Sequence, residues 1–143
     1  MSRRAWILLA LALIASFGCA NKDYRFERID GDQSVTMQMQ FDGLYGLRDG
    51  AFVKSEARFS SGADKVTMNF VVFLRPPAEF QSGTYEAVIS GRTLKGSVEC
   101  PSLDFQGGQT ALPSVGGVFV LKDEQNRPLY RIRIPATTLQ RIR

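Results

Sequence analysis

Hydrophobic and polar residues alternate with a period of two along most of the chain after residue 23. The clearest run contains Val35, Met37, Met39 and Phe41, each followed or preceded by a polar residue. This period is typical of a β-strand with one buried face. Comparable patterns predict further strands, and these cover 53–59, 66–74, 84–89, 93–100, 118–122 and 129–134. The alternation over 24–29 is weak, and 138–142 is a candidate for a last short strand.

Turn-forming residues separate these segments. Asp49-Gly50 and Ser90-Gly91-Arg92 are strong turn signals, and Asp42-Gly43 is predicted to end the strand before it. Arg75-Pro76-Pro77-Ala78 interrupts the pattern, because proline lacks the amide that a sheet ladder needs. The glycine- and proline-containing segment from Gln106 to Gly117 is predicted to be a long loop.

Seven or eight short strands without a sustained helical period predict an all-β fold. We expect an antiparallel β-sandwich of the immunoglobulin- or transthyretin-like kind, with a small β-barrel as the alternative. The segment Ser82-Gly83-Thr84-Tyr85 is similar to the tyrosine corner of immunoglobulin-like sandwiches. This resemblance implies a structural role for Tyr85.

The 66–74 strand changes character along its length. Its second face begins with Thr67 and Asn69 and ends with Val71 and Phe73. A strand that is apolar on both faces is typical of a sheet covered on both sides. The pattern therefore predicts that another part of the molecule packs over this end of the strand.

The first nineteen residues have the organisation of an export signal. Arg3 and Arg4 precede an uninterrupted apolar run over 6–15, which is shorter than the ~20 residues of a membrane span. Ser16-Phe17-Gly18-Cys19 follows this apolar run, and the whole segment resembles the signal sequence of bacterial lipoproteins. The resemblance implies cleavage before Cys19 and attachment of several acyl chains, such as palmitate, to this residue.

The same resemblance divides the chain into a signal peptide (1–18), a lipidated cysteine with a short tether (19–23) and a single β domain (24–143). Ala20, rather than an aspartate, follows the cysteine and implies the outer membrane, with the domain facing the periplasm. The alternative is an ordinary cleaved signal peptide, which would leave a soluble periplasmic or secreted domain.

The amino-acid composition excludes several classes of catalysis and binding. The 143 residues suit one domain, and 44% hydrophobic and 22% charged residues are usual for a globular protein. The absence of histidine excludes Ser-His-Asp and Cys-His catalysis and histidine-ligated zinc. Removal of residues 1–18 leaves 16 basic and 14 acidic residues, a net charge of +2, which gives nucleic-acid binding little support. We expect no enzyme activity, no metal and no cofactor, and we expect Cys100 to be a buried apolar residue.

The predicted loop ending at Gly117 is one candidate binding surface. It carries Leu112, Pro113 and Val115 between glycines, and long loops on rigid β scaffolds often bind partners. The structural alternative is a crossover in which Leu112 and Val115 plug one end of the domain.

Arg131 and Arg133, on one face of a predicted strand, form a second candidate surface. They either keep a strand edge soluble or contact anionic lipid headgroups or acidic groups of a partner. Together these features predict a lipid-anchored, non-enzymatic interaction or assembly subunit of an envelope complex, in contact with the membrane through Cys19 and with an envelope protein. The alternatives are a small-molecule or lipid-binding barrel, or an inhibitor of an envelope-directed enzyme.

Overall fold

The computed structural model describes residues 23–29, 31, 37–75, 77–107 and 113–141. The signal region, Cys19 and Leu112 lie outside the described residues, and the expectations for them remain predictions. No helix in the described ranges is long and apolar enough to cross a membrane. Nine β-strands account for most of the described chain. They are β1 (Asp23–Arg28), β2 (Met37–Asp49), β3 (Phe52–Ser61), β4 (Asp64–Phe73), β5 (Glu79–Ile89), β6 (Arg92–Gln106), β7 (Ser114–Lys122), β8 (Pro128–Thr138) and β9 (Gln140–Arg141).

The strands close into an antiparallel barrel. Each of the strands β1 to β7 pairs with the next strand along the chain, and β1 also pairs with β8. The all-β prediction is confirmed, but the preference for a sandwich is wrong, and the barrel alternative is the observed fold. The physical reason is that both folds bury one face of every strand, so alternation alone does not distinguish them. The deciding contact is the long-range pairing of β1 with β8, which leaves no separate second sheet.

Four strands meet where the wall closes. β1 pairs with the first part of β2, and the short β9 runs parallel to the second part of β2. On its other side, β1 reaches β8 through two residue pairs, Glu27 with Arg131 and Arg28 with Tyr130. The junction of β1 and β8 is therefore the shortest of the antiparallel ladders described.

Several predicted boundaries hold and others do not. Asp49-Gly50 and Ser90-Gly91 lie in or beside tight hairpin connections, and the segment beginning at Arg75 separates β4 from β5. Asp42-Gly43 was predicted to end a strand, but β2 continues through it to Asp49. A bulge between Phe41 and Gly43 absorbs the irregularity, so the chain bends without leaving the sheet.

The predicted loop over 106–117 is also shorter than expected. β6 extends to Gln106 and β7 begins at Ser114, so Gly117 lies within a strand. Gly117 has a φ of 141°, and a Cβ atom there would collide with the carbonyl oxygen of Ser102 on β6. The glycine therefore allows close approach of two strand backbones at a bulge.

Side chains fill the barrel interior. The ring centroids of Phe70 on β4 and Phe119 on β7 are 5.1 Å apart, although two strands separate β4 from β7 in the wall. Phe26 on β1 meets Phe59 on β3 at 5.0 Å, edge to face. These contacts cross the lumen at two places. An eight-stranded barrel leaves an interior just wide enough for its own side chains, and the described residues fill it in this way.

The barrel has two distinct ends. The connections β2–β3, β4–β5 and β6–β7 lie at one end, which we call the β2–β3 end, and the connections β3–β4, β5–β6 and β7–β8 lie at the β5–β6 end. Asp23, the first residue of β1, pairs with Gln40 partway along β2. Because β1 is antiparallel to β2, its amino-terminal end faces the β2–β3 end.

Candidate functional site

A groove of about 490 Å³ lies on the outer wall where β1, β8 and β7 meet. Its lining consists of Arg25, Glu27, Val118, Arg131 and Arg133, and we call this set the arginine groove. These side chains point outward because the residues between them on each strand face the core. Arg131 and Arg133, predicted from the sequence, are both exposed and lie together here.

One positive charge of the groove is neutralised within it. Arg131 donates hydrogen bonds from Nη2 and Nε to Oε2 of Glu27, at 2.7 and 3.2 Å. The hydrogen bond and the charge of Arg131 lower the pKa of Glu27, and the more distant charge of Arg25 adds to the shift. Such exposed pairs contribute little to stability. Because Glu27 neutralises Arg131, the unbalanced positive charge of the groove lies on the other two arginines.

That unbalanced charge is on Arg25 and Arg133. The register that pairs Glu27 with Arg131 would place Arg25 opposite Arg133, and the β1–β8 ladder ends before this pair. Like charges directly opposite each other are unfavourable in a sheet. Within the described residues, neither guanidinium forms an ion pair. Each presents a planar fork of donors, which matches a carboxylate or phosphate group.

The structure places the other predicted surface residues differently. Val115 is 1% exposed and belongs to the core, and Pro113 is buried. The carbonyl oxygen of Pro113 accepts a hydrogen bond from the Leu139 amide at 3.0 Å. Neither residue therefore offers its side chain to a partner from the outer wall. This placement favours the structural interpretation of Val115.

The lumen contains two buried hydroxyl groups, on Ser55 and Tyr85, for which the described residues provide no hydrogen-bond partner. Burial raises the pKa of Tyr85. Tyr85 lies inside β5 rather than at its start, and its hydroxyl does not bond to nearby described backbone, so the tyrosine-corner interpretation is wrong. The residue is nevertheless structural, since it is 2% exposed and part of the core.

Cys100 lies at the bulge of β6 and is half-buried. Its thiol donates a hydrogen bond to the carbonyl oxygen of Ser102 at 3.3 Å. Burial raises the pKa of the Cys100 thiol to about 11, so the reactive thiolate is scarce at neutral pH. Among the described residues, no three Asp, Glu or Cys side chains cluster so as to hold a metal ion.

Comparison of the chain with family models, with curated proteins and with solved structures gives no match.

Proposed function

We propose that this protein is a lipid-anchored, non-enzymatic barrel of the cell envelope that binds an acidic protein partner through the arginine groove. The observation that carries the proposal is that Arg25 and Arg133 line one groove and that neither forms an ion pair within the described residues. Exposed guanidinium groups on a rigid wall bind carboxylates with little loss of backbone freedom. A carboxylate-rich surface is the partner that would neutralise these two charges.

Several cations elsewhere on the wall form ion pairs with neighbouring carboxylates. Lys122 pairs with Glu99 across β6 and β7, and Arg58 pairs with Glu56 at 2.8 Å. Solubility alone does not require two arginines without ion pairs in the same groove. The contrast supports a binding role for the groove rather than a merely solvated strand edge.

The tether is the second part of the proposal, and it rests on the resemblance of the segment ending at Cys19 to lipoprotein signals. Several acyl chains on one residue give stable membrane anchoring, whereas one chain gives only marginal anchoring. A small barrel on a short tether remains close to the membrane. The partner would then be a periplasm-facing protein that meets the barrel near that surface, most simply at the outer membrane.

The small-molecule alternative has less support from the geometry. It requires a lumen that the barrel's own side chains do not fill, but Phe70 and Phe119 meet inside the barrel. Met39 and Met68, which would line such a cavity, are fully buried in the core cluster. The outer wall therefore offers a better-supported binding site than the interior.

In-cell crosslinking of the tagged full-length protein tests the groove. We expect the R25E/R133E double variant to lose at least about tenfold of the captured envelope protein, since reversing charges at such a contact introduces repulsion. The matched control is K65E/R92E, which makes the same charge change at exposed residues elsewhere on the barrel. Equal capture by both double variants would show that the groove does not bind the partner.

A further inference from the structure

The described residues include three large hydrophobic side chains that are clearly exposed, and two of them share one hairpin. Leu47 on β2 is 46% exposed and Phe52 on β3 is 41% exposed. The third, Val88, lies at the opposite end of the barrel and is also 41% exposed. The β2–β3 end therefore concentrates exposed apolar surface.

Two residues of β4 extend this surface. Phe52 pairs with Phe73, with ring centroids 5.0 Å apart, and Val71 is the outward residue two positions earlier. Leu47, Phe52, Val71 and Phe73 form what we call the apolar outer patch. The sequence predicted a cover over the apolar face of this strand. In the described part of the chain, β4 contacts its two neighbours in the wall, and no further element packs over the patch.

The length of the tether limits how far this patch can be from an anchored Cys19. Four residue steps separate Cys19 from Asp23, so Cys19 reaches at most about 14 Å from Asp23. Nine residue steps of β2 lead from the partner of Asp23, Gln40, to Asp49 at the hairpin. At ~3.3 Å per residue and a strand tilt of ~40°, the hairpin lies ~23 Å further along the barrel axis.

The hairpin therefore extends roughly 10 Å beyond the farthest point that Cys19 can reach along the axis. If acyl chains hold Cys19 at the bilayer surface, an upright barrel with a fully extended tether places the hairpin with Leu47 and Phe52 roughly 10 Å deeper than Cys19, about the depth of an interfacial contact. A leaning barrel still rests on this end, because β2 lies beside β1 in the wall.

The charges around the patch suit a bilayer surface. At the β2–β3 end of the barrel, the described residues near the strand ends include more cationic than anionic side chains. The cations are Arg48, Lys54, Arg75 and Arg141, and the anions are Asp49, Glu79 and Asp104. Lys54 and Asp49 form an ion pair at 3.5 Å. Basic side chains close to aromatic residues are typical of protein surfaces at lipid headgroups.

We propose that the apolar outer patch seats on the bilayer surface and orients the barrel, with Phe52 and Leu47 inserted at the headgroup level. The proposal rests on the tether of the proposed function. It also leaves the arginine groove accessible, because Arg25 pairs with Gln38 near the start of β2, whereas Leu47 lies near the end of that strand beside the hairpin.

Tryptophan fluorescence tests this contact. Trp6 is the sole tryptophan and lies in the predicted signal peptide. The full chain, carrying Trp6→Phe and either Phe52→Trp or the equally exposed control Val88→Trp, is reconstituted into phosphatidylethanolamine–phosphatidylglycerol vesicles with brominated acyl chains. We expect quenching of about twofold or more at position 52 and little at position 88, because interfacial contacts bury side chains ~5–10 Å deep. Leu47→Trp provides a second probe of the same patch should the first variant disturb the Phe73 contact.

Separate measurements test the tether at Cys19 and the apolar outer patch. The mass of the amino-terminal peptide shows whether Cys19 is acylated, which decides the tether. The ratio of quenching at positions 52 and 88 decides the patch. Equal quenching, or no quenching at either position, overturns the seating of the patch even if Cys19 is acylated. An unquenched position 52 whose emission shifts with protein concentration overturns it in favour of a second copy of the chain.

Discussion

Truncation of Phe119 tests whether the barrel interior is packed across its lumen. The side chain is fully buried, and its ring lies 5.1 Å from that of Phe70 on the far wall. Replacing a buried phenylalanine with alanine costs about 3–5 kcal/mol when the surroundings cannot collapse into the space. With a urea m-value of about 2 kcal/mol/M, Phe119→Ala would lower the unfolding midpoint by about 2 M.

Urea unfolding of the purified protein, followed by far-ultraviolet circular dichroism, measures this loss. Phe52→Ala is the control, because Phe52 is exposed at the barrel end and its truncation should cost less than about 1 kcal/mol. A double-mutant cycle with Phe70→Ala should give a coupling energy of about 1 kcal/mol for the ring pair. Equal losses for Phe119→Ala and Phe52→Ala, together with zero coupling, would refute the packed lumen and restore the case for an interior binding cavity.

Three further predictions follow from single residues. Because the pKa of its thiol is about 11, Cys100 should be alkylated at pH 8 at least about tenfold more slowly than free cysteine. Peptide mass mapping measures the alkylation rate, and a rate equal to that of free cysteine would contradict the burial of the thiol. Asp123 accepts a hydrogen bond from the Arg127 amide at 2.9 Å, which lowers the pKa of its carboxyl group, so the carboxylate stabilises the fold only while ionised. Asp123→Ala should lower the melting temperature by a few degrees at neutral pH, and this deficit should shrink as the pH falls below ~4; a deficit independent of pH would argue against the linkage. Gly117→Ala should destabilise the fold by more than about 3 kcal/mol, whereas Gly31→Ala, in open space, should be nearly neutral in the same unfolding assay.

The strand pattern was readable wherever alternation was uninterrupted. β4 runs from Asp64 to Phe73, close to the predicted 66–74, because its inward residues are all apolar. β2 was cut short, because Asp42-Gly43 has the composition of a turn and only pairing with β3 shows that it is a bulge. Gly117 was assigned to a loop for the same reason. Its function as a close-approach residue depends on a strand more than ten positions away.

The barrel and its groove depend on contacts that are distant in the sequence. Alternation alone placed Arg131 and Arg133 on one face of a strand. Arg25 was missed, although its position next to the buried Phe26 indicated an outward side chain. Its relevance emerged only from the pairing of Glu27 with Arg131, which are 104 residues apart in the chain. The same pairing of β1 with β8 distinguishes a barrel from a sandwich. The sequence does not show this pairing, and its absence explains both the preference for a sandwich and the omission of Arg25.

The measurement that tests the proposed function most directly is site-specific photo-crosslinking in living cells. A photoreactive amino acid at Val118, inside the arginine groove, is compared with the same amino acid at Val88, an exposed position on β5 outside the groove. We expect one reproducible protein adduct from position 118, absent from position 88 and abolished in the R25E/R133E background. Identical adducts from both positions, or an adduct at position 118 that survives the charge reversal, would contradict binding through the arginine groove.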